Sequence, residues 1–250
     1  SIALIRRGGE RGGGGVEAYQ NRAGRGGASP ATFHNLAIAL ERVGRHAEAL
    51  SALQDALKRG GDKDARIQTS VGIVTLMTGD AAAADRALTA AKPLWHGRPS
   101  IVWYLYAALA AALVNDGGRG QQILQEGLLQ HPHAAALHNN LAALLERRGS
   151  YDEALHTAER GLTDDPAMPQ LHKNIGDLYF RANRFDEALS AYERAIKSNP
   201  DLGDDVYVKL GDIRVRRRER DEAVRCWERA LALDPRNTTA RSRLASAKTR

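Results

Sequence analysis

The chain has 250 residues, a net charge of +6, 43% hydrophobic and 5% aromatic residues, and a single cysteine. That length and apolar content support one or two globular domains with a sizeable core. One cysteine excludes a disulfide framework and any zinc site built on paired thiolates. Few aromatics beside abundant Ala and Leu speak for helices and against a sandwich or barrel.

Residues 1–29 are rich in glycine and arginine, with Arg-Gly-Gly at residues 7–9, 11–13 and 25–27. From Pro30 a repeat takes over. Three stretches align closely, and their closing prolines, Pro166, Pro200 and Pro235, stand 34 and 35 residues apart. The small residue that opens the second half of each unit recurs as Ala49, Ala84, Gly120, Ala154, Ala188 and Ala223, in steps of 35, 36, 34, 34 and 35. A period this steady defines a repeat architecture. Units start near Pro30, Ala65, Ile101, Ala135, Pro169 and Asp204.

Each unit reads as two amphipathic helices and a turn. In the fifth, Leu171, Ile175, Leu178 and Tyr179 follow helical spacing, Asn183-Arg184 turns, and Ala188, Leu189, Tyr192, Ala195 and Ile196 line a second helix. Pro200 closes it, since proline cannot continue a helix. Small residues recur on the first helices (Ala37, Gly72, Ala108, Ala142, Gly176, Gly211) and on the second (Ala56, Ala91, Gly127, Gly161, Ala195, Ala230). Their missing side chains let backbones approach, while Leu53, Leu88, Leu124, Tyr192 and Trp227 fill the space between.

These motifs resemble the tetratricopeptide repeat family. The fifth unit carries Ile175-Gly176, Tyr179, Ala188, Tyr192, Ala195 and Pro200; the sixth carries Tyr207, Leu210-Gly211, Ala223, Trp227, Ala230 and Pro235. The resemblance implies an all-α, right-handed superhelical solenoid of helix–turn–helix repeats over residues 30–237, closed by a capping helix over 238–250. The second and third units depart most: Ala84 lacks its usual acidic neighbour, Gly120 replaces Ala, and PLWHGRPS (93–100) stands where a tidy turn belongs. Projected 34 residues back from Pro30, the frame puts Ile2-Ala3, Gly15 and Tyr19 in signature slots. Residues 1–29 therefore read as a degenerate half-repeat or a flexible Gly/Arg-rich segment, and Ser1 as a processing boundary.

Catalytic motifs are not expected. The glycine-rich start lacks the Gly-Lys-Ser/Thr ending of a phosphate-binding loop. Cys226 has no histidine partner in the repeat frame and reads as a small buried hydrophobe. His131, His133 and His138 are the densest cluster of possible metal ligands. However, the first two flank a turn proline and His138, like His172, takes a slot for a packed aromatic. Asp152-Glu153, Asp186-Glu187 and Asp221-Glu222 recur at one repeat position, where acidic residues favour a helix N-terminus. No cofactor or metal is expected. The Arg-Gly-Gly tripeptides have one interleaved aromatic, Tyr19, too few for RNA binding as the main reading. The basic run at residues 214–220 includes Glu219 and reads as a solvated edge or an acidic-partner contact. The family's carboxylate clamp for chaperone tails is incomplete. Asn140, Asn174 and Lys209 fit its slots, but Ala143, Asp205 and Asp212 break it.

The resemblance implies a non-enzymatic scaffold that holds a peptide or helix of a protein partner on the concave face formed by its first helices. On that face the family frame exposes Asn35 in the first unit. In the second it exposes Ile73, Leu76 and Met77, together with Thr69 and Ser70. In the third it exposes Val102, Leu105, Tyr106, Leu109 and Leu113. Beyond them come Asn140, Arg147, Lys173, Asn174, Arg181 and Arg216. The expected groove has an apolar centre and polar shoulders, with Asn35, Asn140 and Asn174 free to bond a partner's backbone. The patch could instead mediate self-association or be covered by the N-terminal segment. Two alternatives stay open: a targeting or scaffold domain of a larger enzyme whose N-terminal part is missing, or an RNA-associated protein. Nucleic acid is not the expected partner, since a net charge of +6 is a mild excess, and membrane insertion is not expected, because the apolar run 101–114 is too short to span a bilayer. A cytoplasmic setting is the expectation, with a periplasmic one open.

Overall fold

The computed structural model describes residues 13–24 and 28–248, and the chain divides after Pro132 into two compact units. The first contains α1 (Gly13–Ala23), α2 (Pro30–Arg42), α3 (His46–Lys58), α4 (Ala65–Met77), α5 (Ala81–Ala91), α6 (Ile101–Leu113) and α7 (Gly117–Gln130). The second contains α8 (Ala135–Arg147), α9 (Tyr151–Asp164), α10 (Pro169–Arg181), α11 (Phe185–Ser198), α12 (Asp204–Arg216), α13 (Arg220–Leu233) and α14 (Thr238–Lys248). Among the described residues there is no strand. The fold is an all-α solenoid of paired helices. The Arg-Gly-Gly tripeptides and Ile2-Ala3 lie outside the described residues, apart from Gly13, which opens α1. Within residues 1–29, α1 packs on α2 and buries Val16.

Local chemistry sets the helix ends. In the first unit the Ser29, Asp64, Asp80, Ser100 and Asp116 side chains each accept a hydrogen bond from a backbone N–H of the helix that follows. These caps satisfy donors that no helical carbonyl can reach. Pro30 and Pro169 sit in the first turns of α2 and α10, where a missing N–H costs nothing. The turn inside each helix pair uses a left-handed residue: Gly44, Gly79, Asn115, Gly149, Asn183 and Arg218. Glycine and asparagine suit that conformation, whereas Arg218 at φ +66° bears steric strain.

The small residues sit where two backbones meet. Ala37, Ala108, Ala142, Ala56, Ala91, Ala195 and Ala230 are buried, as are Leu53, Leu88, Leu124, Tyr192 and Trp227. A β-carbon on Gly72 would stand 2.5 Å from the Leu88 side chain, and one on Gly176 2.6 Å from the Tyr192 ring. Trp227 covers Gly211 in the same way. Each leucine buried so fully contributes about 1.5–3 kcal/mol. The fourth repeat solves the problem differently, with Ala158 buried in the slot that Tyr192 and Trp227 fill.

The irregular segment 93–100 has a defined job. Lys92–Trp95 forms a 3-10 turn, followed by left-handed His96 and Gly97. Trp95 Nε1–H then donates to Thr69 Oγ1 on α4 at 3.2 Å. Thr69, expected on the open face, is buried. The last described helix, α14, packs on α13 and buries Ala240.

Candidate functional site

In the first unit α2 touches α4 and α4 touches α6, so the first helices lie side by side. His34 Nε2 and Ser70 Oγ join α2 to α4 at 2.8 Å. Burial lowers the His34 imidazole below its ordinary value against the opposing pull of Asp64, which keeps it neutral at pH 7. Along α4 and α6, Ile73, Met77, Leu105 and Tyr106 are half-buried, while Val102 and Leu113 are 47% and 51% exposed. Burial pushes the Tyr106 phenol up, and Glu41 on α2 adds to the shift, so a carboxylate borders this apolar strip. Asn35 is exposed on α2.

Two expected anchors are corrected here. Leu76 and Leu109 are buried, not exposed. Each lies on a helix flanked by another first helix, and close side-by-side packing covers the flank positions that an average repeat frame counts as open.

The second unit presents polar chemistry. Asn174 Nδ2–H donates to Asn139 Oδ1 at 3.0 Å, and Asn139 Nδ2–H donates to Asn140 Oδ1 at 3.1 Å. Asn140 and Asn174 are therefore engaged with the buried Asn139 and not wholly free as expected. Lys173 is likewise spent: its ammonium lies 2.9 Å from both Asp177 and Asp205. Lys209 lies 2.5 Å from Asp177, and Tyr192 O–H donates to the same carboxylate at 2.7 Å. Burial alone would lower Lys173, but Asp177 and Asp205 carry it up to about 12. Asp177 is held below its ordinary value because Lys173 and Lys209 outweigh its burial. The lysine in the expected clamp slot, Lys209, is thus neutralised from within. Arg147, Arg181 and Arg216 close α8, α10 and α12 and are exposed.

The other candidates resolve into structural roles. Asp152-Glu153, Asp186-Glu187 and Asp221-Glu222 occupy the first turns of α9, α11 and α13. His172 Nε2 lies 2.9 Å from the Pro166 carbonyl, and Tyr207 O–H donates to the Pro200 carbonyl at 2.8 Å. One repeat slot thus ties successive first helices to the preceding turn. His133 pairs with Asp164, His131 with the Pro99 carbonyl, and His138 is buried. Burial pushes the Cys226 thiol up despite Arg214 and Arg225, which disfavours the nucleophilic thiolate. Among the described residues no three His, Cys, Asp or Glu side chains are grouped to hold a metal, and no helix is long and apolar enough to cross a membrane.

A stack of helix pairs that leaves one apolar strip and one polar strip on its first helices is a protein-interaction scaffold. Tetratricopeptide-repeat family profiles match residues 34–99, 105–169, 169–202 and 204–237, and the chain belongs to that family. No curated protein matches it in sequence. Among solved structures it resembles Cut9 of the APC/C hetero-tetramer Cut9-Hcn1, at TM-score 0.79 and 14% identity over 95% of this chain. It spans 46% of that chain's length. PilF of Pseudomonas aeruginosa aligns with TM-score 0.74 and 16% identity over 87% of this chain and 97% of its own. YrrB, described as a tetratricopeptide repeat protein with an unusual peptide-binding site, aligns at 0.55 and 16% identity over 80% and 98%. These likenesses show the fold.

Proposed function

We propose that the chain is a non-enzymatic scaffold that receives a peptide or amphipathic helix of a protein partner on the first helices α4 and α6. The observation that carries this reading is the strip formed by Ile73, Met77, Val102, Leu105, Tyr106 and Leu113, which stays partly open to solvent where a self-contained fold would cover it. Hydrophobic anchors at helical or extended spacing bury apolar area there. Asn35 on α2 offers hydrogen bonds to the partner's backbone. The peptide-binding site described for YrrB supports peptide binding on such a scaffold by analogy. Site-specific photo-crosslinking tests the reading. A photoreactive residue at Val102 or Leu113 captures the partner, while one at Gln125, exposed on the second helix α7, does not. Equal capture from Gln125 overturns it.

A further inference from the structure

The arginines that end α10 and α12 repeat a device that the apolar strip does not use. The Arg181 guanidinium lies 5.3 Å from the Tyr151 ring centroid, and the Arg216 guanidinium 4.4 Å from that of Phe185. Tyr151 and Phe185 each open the second helix of the preceding repeat, α9 and α11. A guanidinium resting on a ring keeps a fixed plane while its N–H edges stay open, so less entropy is lost when it grips a carboxylate. Three nearby arginines are already occupied. Arg184 binds Glu187, Arg217 binds Asp186 and Glu219, and Arg214 binds Glu193 and Glu219. Among the described residues Arg147 and Arg216 form no ion pair, and Arg181 reaches Glu146 only at 3.6 Å, longer than a charge-assisted hydrogen bond.

We infer that Arg147, Arg181 and Arg216 form a docking strip for an acidic peptide in polyproline-II conformation with a carboxylate at every third residue. The carrier helices are neighbours: α8 packs on α10, and the Lys173–Asp205 and Lys209–Asp177 pairs tie α10 to α12. Helices that pack directly, as α8 and α10 do, stand about 8–10 Å apart. Three residues of polyproline II advance about 9 Å and return a side chain to the same face. The match of period and charge selects this occupant. A nucleic-acid strand fits worse, because the acidic pairs Asp152-Glu153 and Asp186-Glu187 begin the adjoining helices and repel a backbone charged at every nucleotide.

The test is fluorescence anisotropy with the full 250-residue chain at about 50 mM salt, where exposed charges are weakly screened. The probe is a labelled peptide of three consecutive Glu-Pro-Pro triplets, and a control has the same composition with its three Glu adjacent. The triplet peptide is expected to bind saturably and more tightly than the control. Arg181→Gln/Arg216→Gln loses at least about tenfold, as removal of two charge-assisted contacts requires. Arg160→Gln/Arg194→Gln, exposed on the second helices α9 and α11, leaves binding unchanged. Arg147→Gln, which disturbs no ring contact, loses affinity in a fold left intact. No saturable binding, equal loss from Arg160→Gln/Arg194→Gln, a preference for the control, or tighter binding of oligouridylate through the same arginines overturns the proposal. None of these readouts involves α4 or α6, so the apolar strip stands or falls separately.

Discussion

The Tyr192 ring lies across Gly176, so close that a β-carbon on the glycine would meet two ring atoms at 2.6 Å, and the Tyr192 hydroxyl donates to the next residue, Asp177. One tyrosine thus locks α11 onto α10 by shape and by a hydrogen bond. Gly176→Ala is expected to destabilise the chain by about 1–3 kcal/mol, the cost of overpacking a filled core. Urea unfolding followed by circular dichroism measures it. A neutral result would mean that the ring moves aside freely.

Asp177 gathers Lys173, Lys209 and Tyr192 around one carboxylate. Asp177→Asn is expected to cost about 1.5–3 kcal/mol near neutral pH, as loss of a charged hydrogen-bond acceptor does. Its folded carboxyl lies below the ordinary value, so its contribution is present above an unfolded value of about 3.9. That contribution fades as pH falls through the depressed folded value. The gap between wild type and Asp177→Asn should therefore narrow on acidification below about pH 4, which denaturant titrations at several pH values will show. Lys173 has the opposite sign. Its contribution is complete below about 10.4 and is lost as pH rises through about 12.

Arg218 occupies the left-handed turn position that Gly44, Gly79 and Gly149 fill elsewhere. Strain of about 1–2 kcal/mol in that conformation outweighs the extra chain entropy of glycine, about 0.4–1 kcal/mol. Arg218→Gly should raise the melting temperature, and an unchanged or lower value would show that the turn tolerates arginine without cost.

Much of this was legible in the sequence because backbone signals are local. The first helices begin at Pro30, Ala65, Ile101, Ala135, Pro169 and Asp204, where the period puts them, and the small residues are buried as their spacing implies. The proposed binding face was less legible, because exposure depends on the neighbouring repeat. Leu76 and Leu109 share helices with the half-buried Met77 and Leu105 and are nonetheless buried. Asn174 meets Asn139 and Lys173 meets Asp205, partners 35 and 32 residues away, and nothing in either helix alone announces them. The stacking of Arg181 and Arg216 on rings one repeat earlier was equally hidden, although Tyr151 and Phe185 do recur in step with them.

Stability should also vary along the chain. The second unit holds the repeats closest to the family pattern, with Tyr192 and Trp227 seated on glycines and the Asp177 network between first helices. Stability in repeat arrays accrues from each repeat and its nearest neighbours. Hydrogen exchange is therefore expected to be slower around Leu141–Trp227 than around Ile67–Leu88. Equal or reversed protection would contradict that ranking.

The central claim is that α4 and α6 carry the partner-binding face. Its most direct test is a calorimetric titration of the partner, once captured and purified, into wild type and into Leu105→Glu/Tyr106→Ala of verified native helicity. Placing a charge and removing a ring at the centre of the strip should weaken binding at least about a hundredfold, as loss of interface anchors does. Unchanged affinity in the folded double variant would contradict the claim and place the partner elsewhere.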